Sequence, residues 1–117
     1  MNGIRRLPSV QRTETQYMVP GTTFSKLQAV ADAAEGFLAT EMKDNTGELP
    51  DRAHILVQTN NMRYAENVAP TTGALGYPVT AGNDIWLDGL DAIQNFQYIN
   101  DTGAQQVTLI VTFYYKK

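Results

Sequence analysis

The feature that most constrains the fold is a period-two alternation of apolar residues near the end of the chain. Apolar side chains occupy every second position from Val107 to Phe113, and threonines fill most positions between them. Successive side chains of a β-strand point to opposite faces, so Val107, Leu109, Val111 and Phe113 are expected to share one buried face. Ile110 is the exception to the alternation. The sequence therefore predicts a strand that covers a hydrophobic core.

Several other short segments have strand character and are separated by turn residues. We predict strands at 22–28, 54–59, from 62 onward, 77–79, 84–87 and 96–100. Asn60-Asn61 is predicted to close a β-hairpin between two of them. About seven or eight strands, with turn signals every eight to twelve residues, are typical of an antiparallel sandwich or small barrel. We expect an all-β, antiparallel β-sandwich of the jelly-roll type.

Residues 22–42 are ambiguous between a strand and a helix. Apolar residues recur there at helical spacing from Phe24 to Leu38, but Gly36 interrupts the pattern. We predict an irregular or short helical passage over 29–42. The turn-rich residues 44–51 are expected to form a surface loop.

The first twenty residues differ in charge from the rest of the chain. Arg5, Arg6 and Arg12 against Glu14 give this stretch a net charge of +2, and because the whole chain carries −3, residues 21–117 carry −5. We predict an extended N-terminal arm over 1–20, or a lone strand near 15–19 within it, and a single domain over 21–117. The arm is either a floppy terminus or a segment that orders against a neighbouring subunit, with its arginines paired to acidic groups.

Composition removes most catalytic and metal-binding chemistry. The 117 residues include no cysteine and one histidine, which excludes disulfide scaffolds, thiol nucleophiles and cysteine or multi-histidine metal sites. We expect no cofactor and no metal. Three arginines on a net acidic chain are a poor footprint for nucleic acid, and no apolar run is long enough for a signal peptide or a membrane span. Cytoplasmic synthesis is therefore the expected default.

One short motif suggests an enzyme. Asp101-Thr102-Gly103-Ala104 is similar to the active-site loop of retroviral-type aspartic proteases, in which two subunits each supply one aspartate. Asn100 stands where that family has an apolar residue, and no glycine-rich flap sequence exists elsewhere. The motif is therefore interpreted as a hairpin turn, and a homodimeric aspartic protease using Asp101 is kept as a remote alternative.

Aromatic residues lie on many of the predicted strands. Core packing accounts for about half of them, and subunit contact is the interpretation for the rest. Asp84, Asp88 and Asp91 are interpreted as surface-turn carboxylates, since Trp86 fills a position that a calcium loop needs for a ligand.

The order of several motifs over residues 53–115 resembles a group of small β-rich virion proteins of tailed bacteriophages. The motifs are Ala53-His54-Ile55-Leu56-Val57, Met62-Arg63-Tyr64, Ala69-Pro70-Thr71-Thr72, Gly76-Tyr77-Pro78-Val79, Ala81-Gly82-Asn83-Asp84-Ile85, Ile93-Gln94-Asn95-Phe96-Gln97-Tyr98-Ile99-Asn100 and the terminal apolar strand. The resemblance covers about half of the chain, and it carries over no catalytic residue. It implies a structural role on the capsid, the neck or the tail.

On that resemblance we expect a non-enzymatic virion protein assembled in the host cytoplasm, and most specifically a capsid cement or decoration protein. Its partners would be the major capsid protein or other virion proteins, together with further copies of itself in a trimer or larger ring. A neck, tail or fibre-anchoring component is the alternative. The expected contact residues are Arg5, Arg6, Arg12, Tyr17, Tyr64 and Trp86, with the 66–83 loop beside them.

Overall fold

The structure is a computed structural model that describes residues 18–116. It contains seven β-strands and two short α-helices. In chain order these are β1 (Met18–Leu27), α1 (Ala39–Met42), β2 (Arg52–Thr59), β3 (Met62–Glu66), β4 (Tyr77–Val79), β5 (Asp84–Asp88), α2 (Leu90–Asn95), β6 (Phe96–Asn100) and β7 (Thr108–Lys116).

The strands form two antiparallel sheets that enclose one core. The four-stranded sheet has the order β1-β7-β2-β5, and the three-stranded sheet has the order β4-β3-β6. Side chains from both sheets meet in a single hydrophobic cluster. The predicted all-β sandwich is confirmed.

The strand pairing follows the jelly-roll scheme. In an eight-stranded jelly roll built from two Greek keys, the first strand pairs with the eighth, the second with the seventh, the third with the sixth and the fourth with the fifth. Here β1 pairs with β7, β2 with β5 and β3 with β4. The remaining pair is reduced to an isolated bridge between Glu35 and Tyr98 of β6, closed by backbone hydrogen bonds of 3.0 and 2.8 Å.

The alternation predicted for the last strand is present in β7. Leu109, Val111 and Phe113 are buried in the core, and Tyr115 follows them on the same face. Ile110, which broke the sequence pattern, lies on the outer face opposite Leu56 of β2. The strand therefore presents one apolar face to the core and one mixed face outward.

An aromatic residue from an irregular segment joins the two sheets. Phe37 packs edge-on against Phe113 of β7, with ring centroids 5.0 Å apart, and stacks on Phe96 of β6 at 5.3 Å. Burying a phenylalanine stabilises a fold by about 1.5–3 kcal/mol, and aromatic pairs add to that. The segment predicted to be irregular thus supplies a central part of the core.

Two predicted hairpins are wrong. β2 and β3 flank Asn60-Asn61 but belong to different sheets, so this connection crosses the sandwich. Asn60 adopts a positive φ of 64°, and its side-chain amide donates to the carbonyl of Gln106 at 2.7 Å. The Asp101-Thr102-Gly103 bend likewise connects β6 to β7 across the two sheets. Asparagine and glycine signal a reversal of the chain, but not whether the reversal stays within one sheet.

The start of the domain also differs from the prediction. A strand was expected at 22–28, preceded by an arm or a lone strand near 15–19; instead β1 is one strand over Met18–Leu27, and Met18 pairs with Lys116 of β7. Residues 18–20, assigned to the arm, are therefore part of the sheet, and the expected boundary falls inside β1. The rest of the arm, with Arg5, Arg6, Arg12 and Tyr17, lies outside the described residues.

Both helices are very short. α1 fits the helical passage expected within 29–42, whereas α2 was not predicted. α2 follows Gly89 directly and buries Ile93 against the core. A helix of six residues is less than two turns, too little for a helical period to show in a sequence.

Gly36 is required where the chain passes closest to β6. A Cβ atom at this position would lie 2.7 Å from the backbone oxygen of Phe96, whereas one at Gly103 would meet nothing within 4 Å. We expect Gly36→Ala to lower the free energy of unfolding by about 1–3 kcal/mol, as overpacking does, and Gly103→Ala to change it by less than about 0.5 kcal/mol. Denaturant titration followed by circular dichroism measures both; equal losses would contradict the close approach.

Candidate functional site

The outer face of the four-stranded sheet carries a cluster of large side chains. Because β2, β5 and β7 send alternate residues inward, the residues between them point away from the core. Arg52 and His54 of β2, Trp86 of β5 and Tyr114 of β7 meet there, and we call these four residues the aromatic face.

Trp86 is the centre of the aromatic face. Its ring centroid lies 4.6 Å from that of His54, directly opposite on β2, and 5.4 Å from that of Tyr114. The guanidinium carbon of Arg52 lies 4.3 Å from the ring centroid, a cation–π contact. Trp86 nevertheless remains 44% exposed. A large aromatic ring is therefore held in place by its neighbours while much of its surface stays accessible.

An ion pair and a hydrogen bond frame the tryptophan. Arg52 Nε lies 2.5 Å from Oδ1 of Asp88, and His54 Nε2 lies 2.7 Å from Oδ2 of Asp84. Both pairs are partly exposed, so each contributes little to stability. Their effect is to hold Arg52 and His54 beside Trp86 in one arrangement. Asp84 and Asp88 were predicted only as turn carboxylates, and neither these contacts nor the cation–π contact could be read from spacing alone.

Tyr64, another expected contact residue, lies on the other sheet. Its ring packs 5.7 Å from that of Phe96 and 5.5 Å from that of Tyr77, which is 68% exposed. Burial raises the pKa of Tyr64, and the charge of Glu66 adds to the shift. Tyr64 is thus a partly buried residue packed against the core, with Tyr77 as its exposed neighbour. The structure does not bring Tyr64 and Trp86 onto one surface.

An exposed apolar patch surrounds Tyr77. Val68 and Leu75 are each about half exposed, and with Tyr77 they line a cavity of about 300 Å³. This patch belongs to the 66–83 loop that was expected to make contacts.

Asp101, the residue of the protease-like motif, is tied to an arginine. Arg63 Nε lies 2.5 Å from its Oδ1, and Arg63 Nη1 donates to the carbonyls of Ala74 and Gly76 at 3.0 Å. The guanidinium therefore fastens the bend after β6 to the loop before β4. The carboxylate is part of this connection between loops.

A polar network that joins buried Asn100 and Gln28 to the exposed Asp32 lies beside that bend. Asn100 is fully buried: its Oδ1 accepts from Gln28 Nε2 at 2.9 Å, and its Nδ2 donates to Asp32 Oδ1 at 2.6 Å. Asp32 adopts a positive φ of 64°, and its Oδ1 also accepts from the backbone N–H of Ala104 at 3.2 Å. The hydrogen bond from Asn100, followed by the one from Ala104, lowers the pKa of Asp32. The sequence pointed to Asn100 only as a departure from the protease pattern.

This network predicts an acid-sensitive contribution to stability. Because the pKa of Asp32 is lower in the folded protein, its charged form stabilises the fold near neutral pH, and that contribution disappears as the pH falls below about 4. We expect Asp32→Asn, which retains the acceptor oxygen, to lose less stability than the wild type on acidification. Urea unfolding at a series of decreasing pH values measures the free energy of unfolding of each protein. Asp91→Asn, at an exposed carboxylate, is the control and should follow the wild type.

Lys26 is a buried cation held by two glutamates. It is 8% exposed, and its Nζ lies 2.8 Å from Glu41 Oε2 and 3.1 Å from Glu35 Oε2. Burial alone would lower the pKa of Lys26, but the hydrogen bonds and charges of Glu41 and Glu35 outweigh it and raise the pKa. The amine therefore stays protonated and connects β1, α1 and the bridge to β6. A charged, fully engaged lysine is a structural cation, and a nucleophilic role would need the neutral amine.

The hydroxyl of Tyr98 lies inside the same region of the core. It is buried, and within residues 18–116 it has no hydrogen-bond partner. Burial and then the charge of Glu35 raise the pKa of Tyr98. A cavity of about 540 Å³ opens beside Lys26 and Phe37, but Tyr98 does not line it.

Removal of the Lys26 charge should destabilise the protein. We expect Lys26→Met, which keeps the packing of the aliphatic stem, to leave two glutamates uncompensated and to lower the free energy of unfolding by about 3 kcal/mol. Adding Glu35→Gln and Glu41→Gln should recover most of that loss, since no unpaired charge then remains. Thermal and denaturant unfolding of the three proteins compares them. A triple variant no more stable than Lys26→Met would contradict the electrostatic explanation.

Within residues 18–116 no group of three or more histidine, aspartate or glutamate side chains is arranged to hold a metal ion. In the same part of the chain, no helix is both long and apolar enough to cross a membrane. Comparison of the chain with family models, curated proteins and solved structures found no match.

Proposed function

We propose that this protein is a structural component of a tailed-phage virion, and most specifically a capsid cement or decoration protein that binds neighbouring proteins through the aromatic face. The observation that carries the proposal is the exposed, framed Trp86 on a sheet surface. The resemblance of residues 53–115 to phage virion proteins supports it, as does the jelly-roll topology, which viral capsid domains commonly have.

The aromatic face has the side chains that dominate binding at protein interfaces. Tryptophan, tyrosine and arginine are the residues most enriched among those whose truncation weakens a complex. Trp86, Tyr114 and Arg52 are adjacent here. Asp88 holds Arg52, and Asp84 holds His54 against the Trp86 ring, before any partner binds. Binding to such a surface loses less side-chain entropy than binding to mobile side chains.

Two further surfaces complete the proposed set of contacts. One is the N-terminal arm with Arg5, Arg6, Arg12 and Tyr17. The other is the Tyr77 patch beside Tyr64 on the opposite sheet. Contacts on both sheets would let one copy touch more than one neighbour, and repeated weak contacts give high overall affinity when the copies are held in an array. The partners would be the major capsid protein or other virion proteins and further copies of this chain, in a trimer or larger ring formed in the host cytoplasm.

The main alternative to a cement protein is another kind of virion component. A neck, tail or fibre-anchoring component would use the same surfaces, and copy number distinguishes it. Quantitative mass spectrometry of particles assembled from the genome that encodes this chain should find hundreds of copies of a cement protein and about a dozen of a neck protein. Absence of the chain from purified particles would overturn both versions.

For an aspartic protease, Asp101 would have to face a second carboxylate, but it is paired with Arg63, so we assign it no catalytic role.

Truncation of Trp86 tests the aromatic face directly. We expect Trp86→Ala to weaken binding to particles lacking this protein by at least about 30-fold, the effect of losing about 2 kcal/mol at an interface anchor. The measurement is a pelleting titration with purified particles, with circular dichroism to verify folding.

The matched control is Leu38→Ala. Leu38 is another exposed apolar residue, 62% accessible, away from the aromatic face. Its truncation should leave binding unchanged within about twofold. If Trp86→Ala binds as tightly as the wild type, the aromatic face is not the contact surface.

A further inference from the structure

Strand β5 has an unpaired backbone edge within residues 18–116. It is the outermost strand of the four-stranded sheet and pairs only with β2. The hydrogen bonds Val57 N to Asn83 O (2.9 Å) and Gly89 N to Asp51 O (2.7 Å) flank the pair. In an antiparallel pair, residues bonded to the partner alternate with residues whose N–H and C=O point away. Ile85 and Leu87 therefore bond to β2, while Asp84, Trp86 and Asp88 direct their backbone groups to the open side.

This edge differs from the other exposed edges of the sandwich. Natural proteins commonly block sheet edges with proline, which lacks the N–H that a new strand would need. β1 contains Pro20 and the three-residue β4 contains Pro78, whereas β5 contains no proline. The outer side of β6 is partly occupied by Glu35. Of the edges that the structure describes, β5 is the one best suited to accept another strand.

The charge at this edge complements the N-terminal segment. β5 carries Asp84 and Asp88, and Asp91 follows in α2. Asp84 bonds His54 through Oδ2 and Asp88 bonds Arg52 through Oδ1, so each carboxylate has a second oxygen that can accept from an incoming donor. Residues 1–17 contain three arginines and one glutamate, a net charge of +2, and the remaining hundred residues carry −5.

Direction and reach favour the β5 edge of another copy. β1 lies at the edge of the sheet opposite to β5, and the two strands run antiparallel to each other because three successive antiparallel pairings separate them. A segment that continues the direction of β1 backwards from Met18 therefore runs antiparallel to β5 of a copy in the same orientation. Seventeen extended residues reach roughly 55 Å. The width of a four-stranded sheet is roughly 15 Å, so the segment is long enough to lie along a strand of an adjacent copy.

We propose that residues 1–17 of one copy add an antiparallel strand to β5 of a neighbouring copy, with their arginines paired to Asp84 and Asp88. This inference rests on the proposed function, in which copies of the chain assemble with one another. The donor segment and the acceptor edge lie at opposite sides of the sheet, so the contact is head-to-tail and generates a ring when the rotation closes. Backbone hydrogen bonds supply the affinity, and the charges select the edge.

Disulfide trapping tests the contact, because the chain has no cysteine of its own. One protein carries Asn83→Cys, at the exposed residue immediately before β5, which leaves Asp84 and Asp88 in place; separate partner proteins carry Val10→Cys, Thr13→Cys or Gln16→Cys in the N-terminal segment. A disulfide needs Cα atoms within about 7 Å. After mixing and oxidation, we expect at least one pairing to give a hetero-crosslinked dimer, measured by intact mass. Mixing single-cysteine proteins means that each such product joins two different copies.

The matched control acceptor is Gln105→Cys, on an exposed loop between β6 and β7. Crosslinking to Asn83→Cys should exceed crosslinking to Gln105→Cys several-fold for the best arm position, and should fall as salt is raised. Equal yields at the two acceptors, or no product at either, would overturn the proposal.

Deletion of residues 2–14 provides a second measurement that keeps every described residue. We expect the truncated chain to sediment as an assembly of fewer copies than the full chain forms. An unchanged number of copies would overturn the proposal. These results are separable from the proposed function. A chain that is abundant in purified particles but shows no arm-to-β5 crosslink would refute the docking alone, and a chain absent from particles would refute the virion role whatever the crosslinking shows.

Discussion

The pairing of β7 with both β1 and β2 is the interaction on which the rest of the structure depends. β7 lies inside the four-stranded sheet, so its backbone groups hydrogen-bond to β1 on one side and to β2 on the other. Because β1 and β7 are far apart in sequence, this pairing closes the whole domain into one unit. Formation of such long-range contacts costs loop-closure entropy before it contributes stability, and burial of the inner face of β7 offsets that cost.

The same pairing produces the candidate functional surface. Once Leu109, Val111 and Phe113 face inward, the parity of a β-strand places Thr112 and Tyr114 outside. The register with β2 then puts Arg52 opposite Tyr114, and the register of β2 with β5 puts His54 opposite Trp86. A shift of one residue in either register would move Trp86 away from its neighbours or into the core. The core pattern and the aromatic face are therefore two consequences of one set of strand registers.

The inward or outward orientation of residues along each strand could also be predicted from the sequence. The faces of β7, the all-β class and the short strands near 77–79, 84–87 and 96–100 follow from alternation and turn residues, which act locally. The failures concern partners distant in the chain. Asn60-Asn61 reverses the chain in the same way whether it closes a hairpin or crosses to the other sheet. Likewise, Asn100 and Asp32 meet across 68 residues, and Lys26 meets Glu41 only because the segment between them folds back over β1.

The polar contacts that were not predicted explain how a sandwich that lacks a full strand beside β6 keeps one conformation. In place of a full strand beside β6, the chain has a single backbone bridge at Glu35. The side chain of Glu35 reaches Lys26, and Phe37, two residues further on, enters the core. At the far end of β6, Asn100 holds the loop at Asp32. Buried polar groups that are fully paired specify a unique arrangement, because any alternative would leave them unsatisfied. Within residues 18–116, the edge beside β6 is therefore partly occupied by the chain itself, whereas the outer edge of β5 is unpaired.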